Sequence, residues 1–356
     1  MKPINEIIRQ DIQAMSAYHV NQVPEGCIKL DAMESPYDFP ESMQNQLSNL
    51  LSQTPIRLYP HIATDDFIPQ LRKAFAIPQV AAVALGNGSD ELIQFITMLV
   101  ARENAKVLSI EPTFVMYKHN AKLFGMEYIG VPLNDDLTIN LKQVLDEIEK
   151  NQPDLIFIAY PNNPTGTRYS HEDVEKIIQA ATGLVVIDEA YGAFSSDSFL
   201  PQAGSCEHLL VLRTFSKIGF AGLRIGYVSG SASVINELNK IIPPYNMNQL
   251  SLTAAKYALK HIDWINDNIT RLKMEREVMF SALEDIESIT VFPSEGNFLT
   301  IRVPDAKACF DELLRQGFLV KNLHGSHQLL ENCLRITIGK QQDNSIITQI
   351  LQKMYR

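Results

Sequence analysis

The sequence predicts an α/β protein with a large domain, built on a mainly parallel sheet covered by helices, and a smaller α+β domain. The first observation behind this prediction is a set of continuously apolar runs, each bounded by turn residues, that are typical of buried strands. The runs are KVLSI (106–110), LIFIAY (155–160), LVVIDEA (184–190) and LLVLRTFSK (209–217). The second observation is that helical stretches alternate with these runs, a pattern typical of parallel sheets with both faces covered.

A helix is predicted just before the first of these strands, over residues 90–104. Leu92, Ile96, Leu99 and Val100 recur there at i, i+4, i+7 and i+8, the spacing that places apolar side chains on one helix face. This helix would lead into the first predicted strand and help to cover the sheet.

The length of the chain, 356 residues, is comfortable for two domains. Residues 1–48 are irregular and contain prolines, and we expect them to form an N-terminal arm and part of the small domain. Residues 49–245 hold the four strand candidates and are expected to form the large domain. Pro243-Pro244 interrupts the helical pattern, so we expect residues 246–356 to form the small C-terminal domain.

The composition excludes several classes of partner. The net charge of −10 argues against nucleic acid and anionic membranes, because both require a basic surface. The four cysteines form no CxxC pair and are typical of reduced thiols in a cytoplasmic protein. We expect a cytoplasmic protein, since the sequence shows neither a signal peptide nor an apolar run long enough to span a bilayer. His324 and His327 have no further ligand at metal-site spacing, so no metal is expected.

Polar clusters with specific chemistry follow three of the predicted strands directly. PNNPTG follows the strand LIFIAY, DEAY follows LVVI, and RTFSK follows LLVL. In parallel α/β sheets, ligands bind beyond the carboxyl ends of the strands. We therefore expect Asn163, Asp188, Tyr191 and Lys217 to lie together over one crevice.

These four residue types suit pyridoxal phosphate. A desolvated lysine has a lowered pKa and becomes a nucleophile that forms a Schiff base with an aldehyde, the role expected of Lys217. Asp188 follows four apolar residues, and a buried carboxylate needs a cationic partner such as a protonated pyridine nitrogen. Pyridoxal phosphate offers that nitrogen, an aldehyde and a phosphate. Tyr191 and Asn163 would then donate hydrogen bonds to the ring hydroxyl.

The phosphate of such a cofactor needs its own binding site. The segment GNGSDELIQFI (86–96) supplies glycines and the start of a helix, where backbone N–H groups and the helix dipole favour an anion. By itself the segment also resembles the start of a dinucleotide-binding motif, but Glu91 stands where the third glycine would be. Thr214, Ser216 and Arg224 flank the lysine and would close the other side of the phosphate, with arginine offering a two-pronged contact.

In order and spacing, YPNNPTG, IDEAY and TFSKIGFAGLRIGY resemble the motifs of fold-type I pyridoxal-phosphate aminotransferases. The likeness is narrowest to the histidinol-phosphate aminotransferases. It covers nearly the whole chain, through KLDAMESPYDFP, RLYP, LGNGSDELI, EPTFVMY, SEGNFL and ENCLRITIG. The resemblance implies an enzyme that interconverts L-histidinol phosphate and 2-oxoglutarate with imidazole-acetol phosphate and L-glutamate in L-histidine biosynthesis.

The resemblance also implies roles for individual residues. The catalytic residues would be Lys217, which forms the Schiff base, Asp188 at the pyridine nitrogen and Tyr191 at the ring hydroxyl. The other cofactor contacts would be Asn163 at the ring hydroxyl, Phe114 stacked on the ring, and Ser89, Asp90, Thr214, Ser216, Arg224 and Tyr59 at the phosphate. Tyr59 would come from the partner subunit, so the resemblance implies a homodimer. The substrate contacts would be Arg335, Lys321, Tyr18 and Asn163.

The sequence departs from the family pattern at one position. Where the family usually has an arginine in a GxxVR pattern, this chain has Lys321, which keeps the charge but loses the planar fork. An aromatic amino-acid aminotransferase, a threonine-phosphate decarboxylase and a non-catalytic binding protein stay open as alternatives. The partner of Arg335 also stays open, because Glu331 or Asp305 could pair with it instead of a substrate.

Overall fold

The computed structural model describes residues 2–17, 22–60 and 66–355. The strands in chain order are β1 (Ile28–Lys29), β2 (Ala82–Gly86), β3 (Lys106–Glu111), β4 (Glu127–Pro132), β5 (Leu155–Ala159), β6 (Leu184–Asp188), β7 (Leu209–Thr214), β8 (Gly226–Gly230), β9 (Thr290–Phe292), β10 (Phe298–Arg302), β11 (Phe318–Leu319), β12 (Lys321–Asn322) and β13 (Cys333–Thr337). The α-helices in chain order are α1 (Ile4–Ile7), α2 (Gln10–Gln13), α3 (Glu41–Ser52), α4 (Phe67–Phe75), α5 (Ser89–Val100), α6 (Val115–Leu123), α7 (Leu141–Asn151), α8 (His171–Ala180), α9 (Ala232–Ile241), α10 (Gln249–Lys260), α11 (Ile262–Glu284), α12 (Ala306–Arg315) and α13 (Gln341–Tyr355). None of the helices in these ranges combines the length and the apolar composition that a membrane span needs.

The central sheet, as far as the described residues show it, has seven strands in the order β2-β8-β7-β6-β5-β3-β4. Strand β8 runs antiparallel to both its neighbours, and the other adjacent pairs are parallel. The four apolar runs form β3, β5, β6 and β7, which confirms the predicted mainly parallel sheet. Both faces are buried: Ile156 and Ile158 of β5 lie in one apolar cluster, and the alternating Leu155 and Phe157 lie in another.

A second sheet is built from the C-terminal part of the chain. In the described ranges it has four antiparallel strands in the order β12-β13-β10-β9. Leu272 and Met279 of α11 pack with Leu334 and Ile336 of β13 in its apolar cluster. The N-terminal arm joins this part of the molecule, because β1 pairs in parallel with β11.

Helix α10 packs into the core of the large sheet. Leu252, Ala255 and Ala258 belong to the apolar cluster that contains alternate residues of the central strands, and α10 contacts α3 and α4. Helix α11 begins in the same cluster at Ile265 and reaches the cluster of the small sheet by Leu272. The domain boundary at residue 245 stays a prediction, and the packing of α10 favours a boundary within α11.

Candidate active site

The carboxyl ends of β5, β6 and β7 bring three of the predicted polar clusters to one edge of the central sheet. These strands are parallel neighbours, and Asp188 of β6 pairs with Ala159 of β5 on one side and with β7 on the other. Asn163 follows β5 in the next loop, and Lys217 lies in the 3₁₀ turn Ser216–Ile218 just after β7. The register of the parallel strands therefore brings an amide, a carboxylate and an amine to the edge where such sheets bind ligands.

Asp188 is a buried carboxylate held by two donors. The hydroxyl of Tyr117 donates to Oδ2 at 2.7 Å, and the backbone N–H of Ala190 donates to Oδ1 at 3.0 Å. Burial raises the pKa of Asp188 to about 6, although both hydrogen bonds act to lower it. The two hydrogen bonds favour the ionised form, in which Asp188 can hold a cation against it.

Lys217 carries its amine in a low-dielectric environment. Its Nζ donates to the backbone carbonyl of Ala32 at 2.9 Å and lies 5.7 Å from the ring centroid of Tyr191. Burial lowers the pKa of Lys217 to about 8, and the positive charge of Arg335 acts in the same direction. Tyr191 is itself buried and packs edge-on against Phe298 at 5.1 Å. The neutral, nucleophilic fraction of this amine near neutral pH is therefore larger than that of an exposed lysine.

Arg335 projects from the small sheet toward the loop after β5. It is 7% exposed and lies on β13, where its register partners are Thr300 of β10 and Lys321 of β12. Its Nη1 donates to Oδ1 of Asn163, and its Nη2 donates to the backbone carbonyl of Asp31 at 2.8 Å. Arg335 and Lys321 are thus neighbouring cations on adjacent strands.

The two carboxylates that the sequence leaves open as partners of Arg335 have other contacts. Glu331 lies 3.0 Å from Nδ1 of His324, and Asp305 accepts the backbone N–H of Ala308 at 2.9 Å, as the N-cap of α12. The oxygens that bind Arg335 in the contacts above are uncharged ones, from an amide and from the backbone.

The first turn of α5 presents backbone N–H groups beside two tightly packed glycines. Gly88 precedes the helix with a φ of +83°, which a larger residue rarely adopts, and no side chain in the described part of the chain caps the helix there. A Cβ on Gly226 would stand 2.5 Å from the backbone nitrogen of Ser89. Only glycine at these positions lets β8 approach the start of α5, where an anion binds most readily.

Arg224 closes the other side of this helix start. A Cβ on Gly88 would stand 2.5 Å from its Nη2, which also lies 3.3 Å from Oδ2 of Asp90. Its Nη1 donates to the hydroxyl of Ser216 at 3.4 Å, and Thr214 donates to the same hydroxyl at 2.9 Å. The predicted phosphate residues Ser89, Asp90, Thr214, Ser216 and Arg224 therefore lie together at the start of α5.

Three other predicted site residues have different outcomes. Phe114 lies just before α6, and its ring packs edge-on against Tyr117 at 5.7 Å, next to the aromatic ring that contacts Asp188. Tyr59 lies on the surface, 72% exposed, and stacks on Tyr245 at 4.6 Å. Tyr18 lies outside the described residues.

Sequence reasoning missed two groups of the site. Tyr117 is fully buried on α6, and an aromatic residue on the buried face of a helix is expected simply to belong to the core. Ala32 contributes only its backbone carbonyl, which leaves no signal in residue type. The one available signal for Tyr117 is its position three residues after Phe114, which places both rings on the same face of the helix start.

The chain is similar to known proteins both in sequence and in structure. The family "Aminotransferase class I and II" matches residues 25–351. A histidinol-phosphate aminotransferase from Neisseria gonorrhoeae is 56% identical to this chain over the full length of both, and one from Chromobacterium violaceum is 48% identical over 99% of each. The solved structure of histidinol-phosphate aminotransferase from Sinorhizobium meliloti in complex with pyridoxal-5'-phosphate aligns with a TM-score of 0.85, at 22% identity and over 98% of each chain. This last likeness shows the fold.

Proposed function

Because the chain belongs to the class I and II aminotransferases and, among them, to the histidinol-phosphate aminotransferases, we propose a function from that membership and from the site. The chain is a pyridoxal-phosphate-dependent aminotransferase of L-histidine biosynthesis. It moves the amino group of L-histidinol phosphate to 2-oxoglutarate and so forms imidazole-acetol phosphate and L-glutamate. The observation that carries this function is the neighbouring placement of Lys217, with its lowered pKa, and the buried Asp188 at adjacent strand ends.

The donor set of the site fits the three reactive parts of pyridoxal phosphate. We propose that Asp188 faces the ring nitrogen, Lys217 binds the aldehyde, and Asn163 and Tyr191 donate to the ring hydroxyl. Phe114 would cover the ring. The phosphate would be held by Ser89, Asp90, Thr214, Ser216 and Arg224, which lie together at the start of α5 beside two glycines. When bound, this cofactor supplies an aldehyde that condenses with amines and a ring that stabilises negative charge on the substrate Cα.

The protein contributes the proton transfers and the electrostatics. We propose that Nζ of Lys217, once released by the incoming amino group, takes the proton from the substrate Cα. An amine with a pKa of about 8 is neutral often enough to accept that proton near neutral pH. Asp188 would keep its negative charge next to the ring nitrogen during this transfer, and burial strengthens that interaction.

The two substrates both end in an anion, and we propose that Arg335 and Lys321 bind these ends in turn. The pair is matched in register on neighbouring strands, so its two charges act on the same region. Arg335 offers a planar fork suited to a carboxylate, whereas Lys321 offers a single mobile charge that adapts to carboxylate or phosphate. Asn163, which already accepts a hydrogen bond from Arg335, would join this contact from the large domain.

We further propose a homodimer in which Tyr59 reaches the cofactor phosphate of the partner subunit. Tyr59 lies in an exposed segment with apolar neighbours, since Ile56 and Leu58 are 76% and 50% exposed. Exposed apolar side chains that cluster in this way are typical of protein interfaces. The hydroxyl of a tyrosine is a suitable donor to a phosphate oxygen.

An absorbance spectrum of the purified protein tests the proposed reaction. The visible band of the bound cofactor should disappear when L-histidinol phosphate is added and return when 2-oxoglutarate is added, because each half-reaction moves the amino group once. A band that responds to another amine but not to L-histidinol phosphate would show that the proposed substrate is wrong. Release of carbon dioxide without any 2-oxo acid would point to a decarboxylase instead.

A lysine variant provides the control for that measurement. Lys217→Ala should bind pyridoxal phosphate noncovalently and should not convert it to the pyridoxamine form when L-histidinol phosphate is added, since the residue that accepts the Cα proton is absent. Variants of exposed lysines such as Lys150, whose side chain is 73% exposed, should respond like the unmodified protein. A full response of Lys217→Ala would contradict the proposed role of this residue.

A further inference from the structure

Tyr117 makes the one side-chain hydrogen bond to Asp188 that the described residues show. Its hydroxyl donates to Oδ2 at 2.7 Å, while Oδ1 receives the backbone N–H of Ala190 at 3.0 Å. Tyr117 itself is fully buried, and burial next to the carboxylate raises its pKa well above the ordinary value for tyrosine. The hydroxyl therefore keeps its proton and acts only as a donor to Asp188.

The packing of Tyr117 holds that hydroxyl in place. Its ring stacks on Phe157 with centroids 4.6 Å apart and planes within 2° of parallel, and the ring of Phe114 packs edge-on against it at 5.7 Å. Phe157 is fully buried in β5, the strand next to the one that carries Asp188. Because these two aromatic neighbours restrict the ring of Tyr117, its hydroxyl remains in position to donate to the carboxylate of Asp188.

Asp188 has a physical need for such a donor. Burial favours its protonated form, and the negative charges of Asp90 and Glu189 act in the same direction. A protonated Asp188 loses the charge that attracts a cationic ring nitrogen. A hydroxyl that donates to one carboxylate oxygen stabilises the ionised form and also restricts rotation of the carboxylate.

We propose that Tyr117 is a positioning residue of the transamination reaction, whose hydroxyl orients the carboxylate of Asp188 toward the ring nitrogen of the cofactor and preserves its negative charge. The inference rests on the proposed placement of Asp188 opposite that nitrogen. Tyr117 acts through Asp188 and has no role in proton transfer to the substrate.

Two tyrosine variants and two ligands test this proposal. Tyr117→Phe removes only the hydroxyl and keeps the stacked ring. Tyr169→Phe is the matched control, because Tyr169 is also buried and its hydroxyl has no hydrogen-bond partner among the described residues. The ligands are pyridoxal phosphate and its carbocyclic analogue, in which a C–H group replaces the ring nitrogen, and both are titrated into cofactor-stripped protein.

We expect Tyr117→Phe to weaken the binding of pyridoxal phosphate roughly tenfold and to leave binding of the analogue unchanged, because only the former presents a nitrogen to Asp188. Tyr169→Phe should change neither affinity. In the loaded enzyme, Tyr117→Phe should lower kcat with little change in KM. An equal loss of affinity for both ligands would show that Tyr117 serves packing only and would overturn the inference. Unchanged affinity for both ligands would overturn it as well.

A double variant checks that the effect passes through Asp188. In an Asp188→Asn background, adding Tyr117→Phe should cause no further loss of affinity for pyridoxal phosphate, and a further tenfold loss would overturn the inference.

The affinities of the unmodified protein for the two ligands test the premise, which is the placement of Asp188 opposite the ring nitrogen. If this protein binds the analogue as tightly as pyridoxal phosphate, the placement of Asp188 is wrong and the inference fails with it. Amino transfer would still be visible in the absorbance spectrum.

Discussion

At the scale of single residues, the chemistry depends on how burial changes the charge of Lys217. Its amine lies close to the guanidinium of Arg335 and donates to a neutral carbonyl, that of Ala32. Desolvation and the neighbouring cation both disfavour the ammonium form, which lowers the pKa to about 8. The cation that would bind the substrate thus also prepares the lysine for its reaction.

The pH dependence of Lys217 reactivity follows from this pKa. In cofactor-stripped protein, reductive methylation of Lys217 by formaldehyde, with cyanoborohydride as the hydride donor, should increase as the pH rises through about 8, because only the neutral amine attacks the aldehyde. Mass spectrometry of the peptide that contains Lys217 gives the extent of methylation between about pH 6 and 10. A midpoint close to that of an ordinary lysine would contradict the structure.

Replacement of Arg335 supplies the control for this profile. Arg335→Gln removes the positive charge that helps to lower the pKa of Lys217, so the midpoint should move to higher pH. The profile of the exposed Lys150, measured in the same digests, should stay where it is. If the midpoints of Lys217 and Lys150 shifted together, the cause would be the reagent and not the lost charge of Arg335.

At the scale of elements, the strand ends that carry the site are tied together by a buried ion pair. Glu189 follows β6, its side chain is fully buried, and Nη2 of Arg213 on β7 lies 2.7 Å from its Oε2. The hydroxyl of Ser198 donates to the same carboxylate. This pair connects the end of β6 next to Asp188 with the end of β7 that leads to Lys217.

Loss of the cation should destabilise these strand ends strongly. Arg213→Met would leave the carboxylate of Glu189 buried without its cation, and we expect a loss of about 3–5 kcal/mol in the free energy of unfolding. Thermal unfolding followed by circular dichroism would show this as a lower Tm. Adding Glu189→Gln, which removes the orphaned charge and keeps an acceptor for Ser198, should recover most of the loss. A double variant as unstable as Arg213→Met would contradict this account.

At the scale of the whole molecule, the site lies where the two sheets and the N-terminal arm meet. Lys217 and Asp188 come from the central sheet, and Arg335 comes from the small sheet. The backbone carbonyls of Asp31 and Ala32, just after β1, bind Arg335 and Lys217 respectively. If Arg335 binds the substrate anion as proposed, the relative position of the two sheets decides how far that anion lies from the amine of Lys217.

The proposed homodimer makes a prediction at the same scale. If Tyr59 serves the partner's site, mixing Lys217→Ala and Tyr59→Asp subunits should restore activity, because each mixed dimer then has one complete site. Random exchange of equal amounts predicts about a quarter of the activity of the unmodified protein. Sedimentation velocity would confirm that mixed dimers form. Mixed dimers without recovered activity would show that Tyr59 does not act across the interface.

The sequence by itself determined the fold class and placed the proposed reactive groups at the ends of strands. An apolar run followed directly by a polar motif is a local pattern, so Asn163, Asp188 and Lys217 could be placed at strand ends without coordinates. The direction of the strands follows from helix alternation, since parallel neighbours need a crossover between them. The domain boundary at residue 245 stays a prediction, and the packing of α10 against the central core is a contact between distant parts of the chain that the sequence does not show.

Only the tertiary structure decided which groups support those reactive residues. Tyr117 and Asp188 are 71 positions apart, Asn163 and Arg335 are 172 apart, and Ala32 and Lys217 are 185 apart. Each pair is brought together by strand register, helix packing or the return of the N-terminal arm, and none of these can be predicted from the local sequence. The pKa of a catalytic group depends on these distant contacts and on burial, and both exist only once the chain has folded.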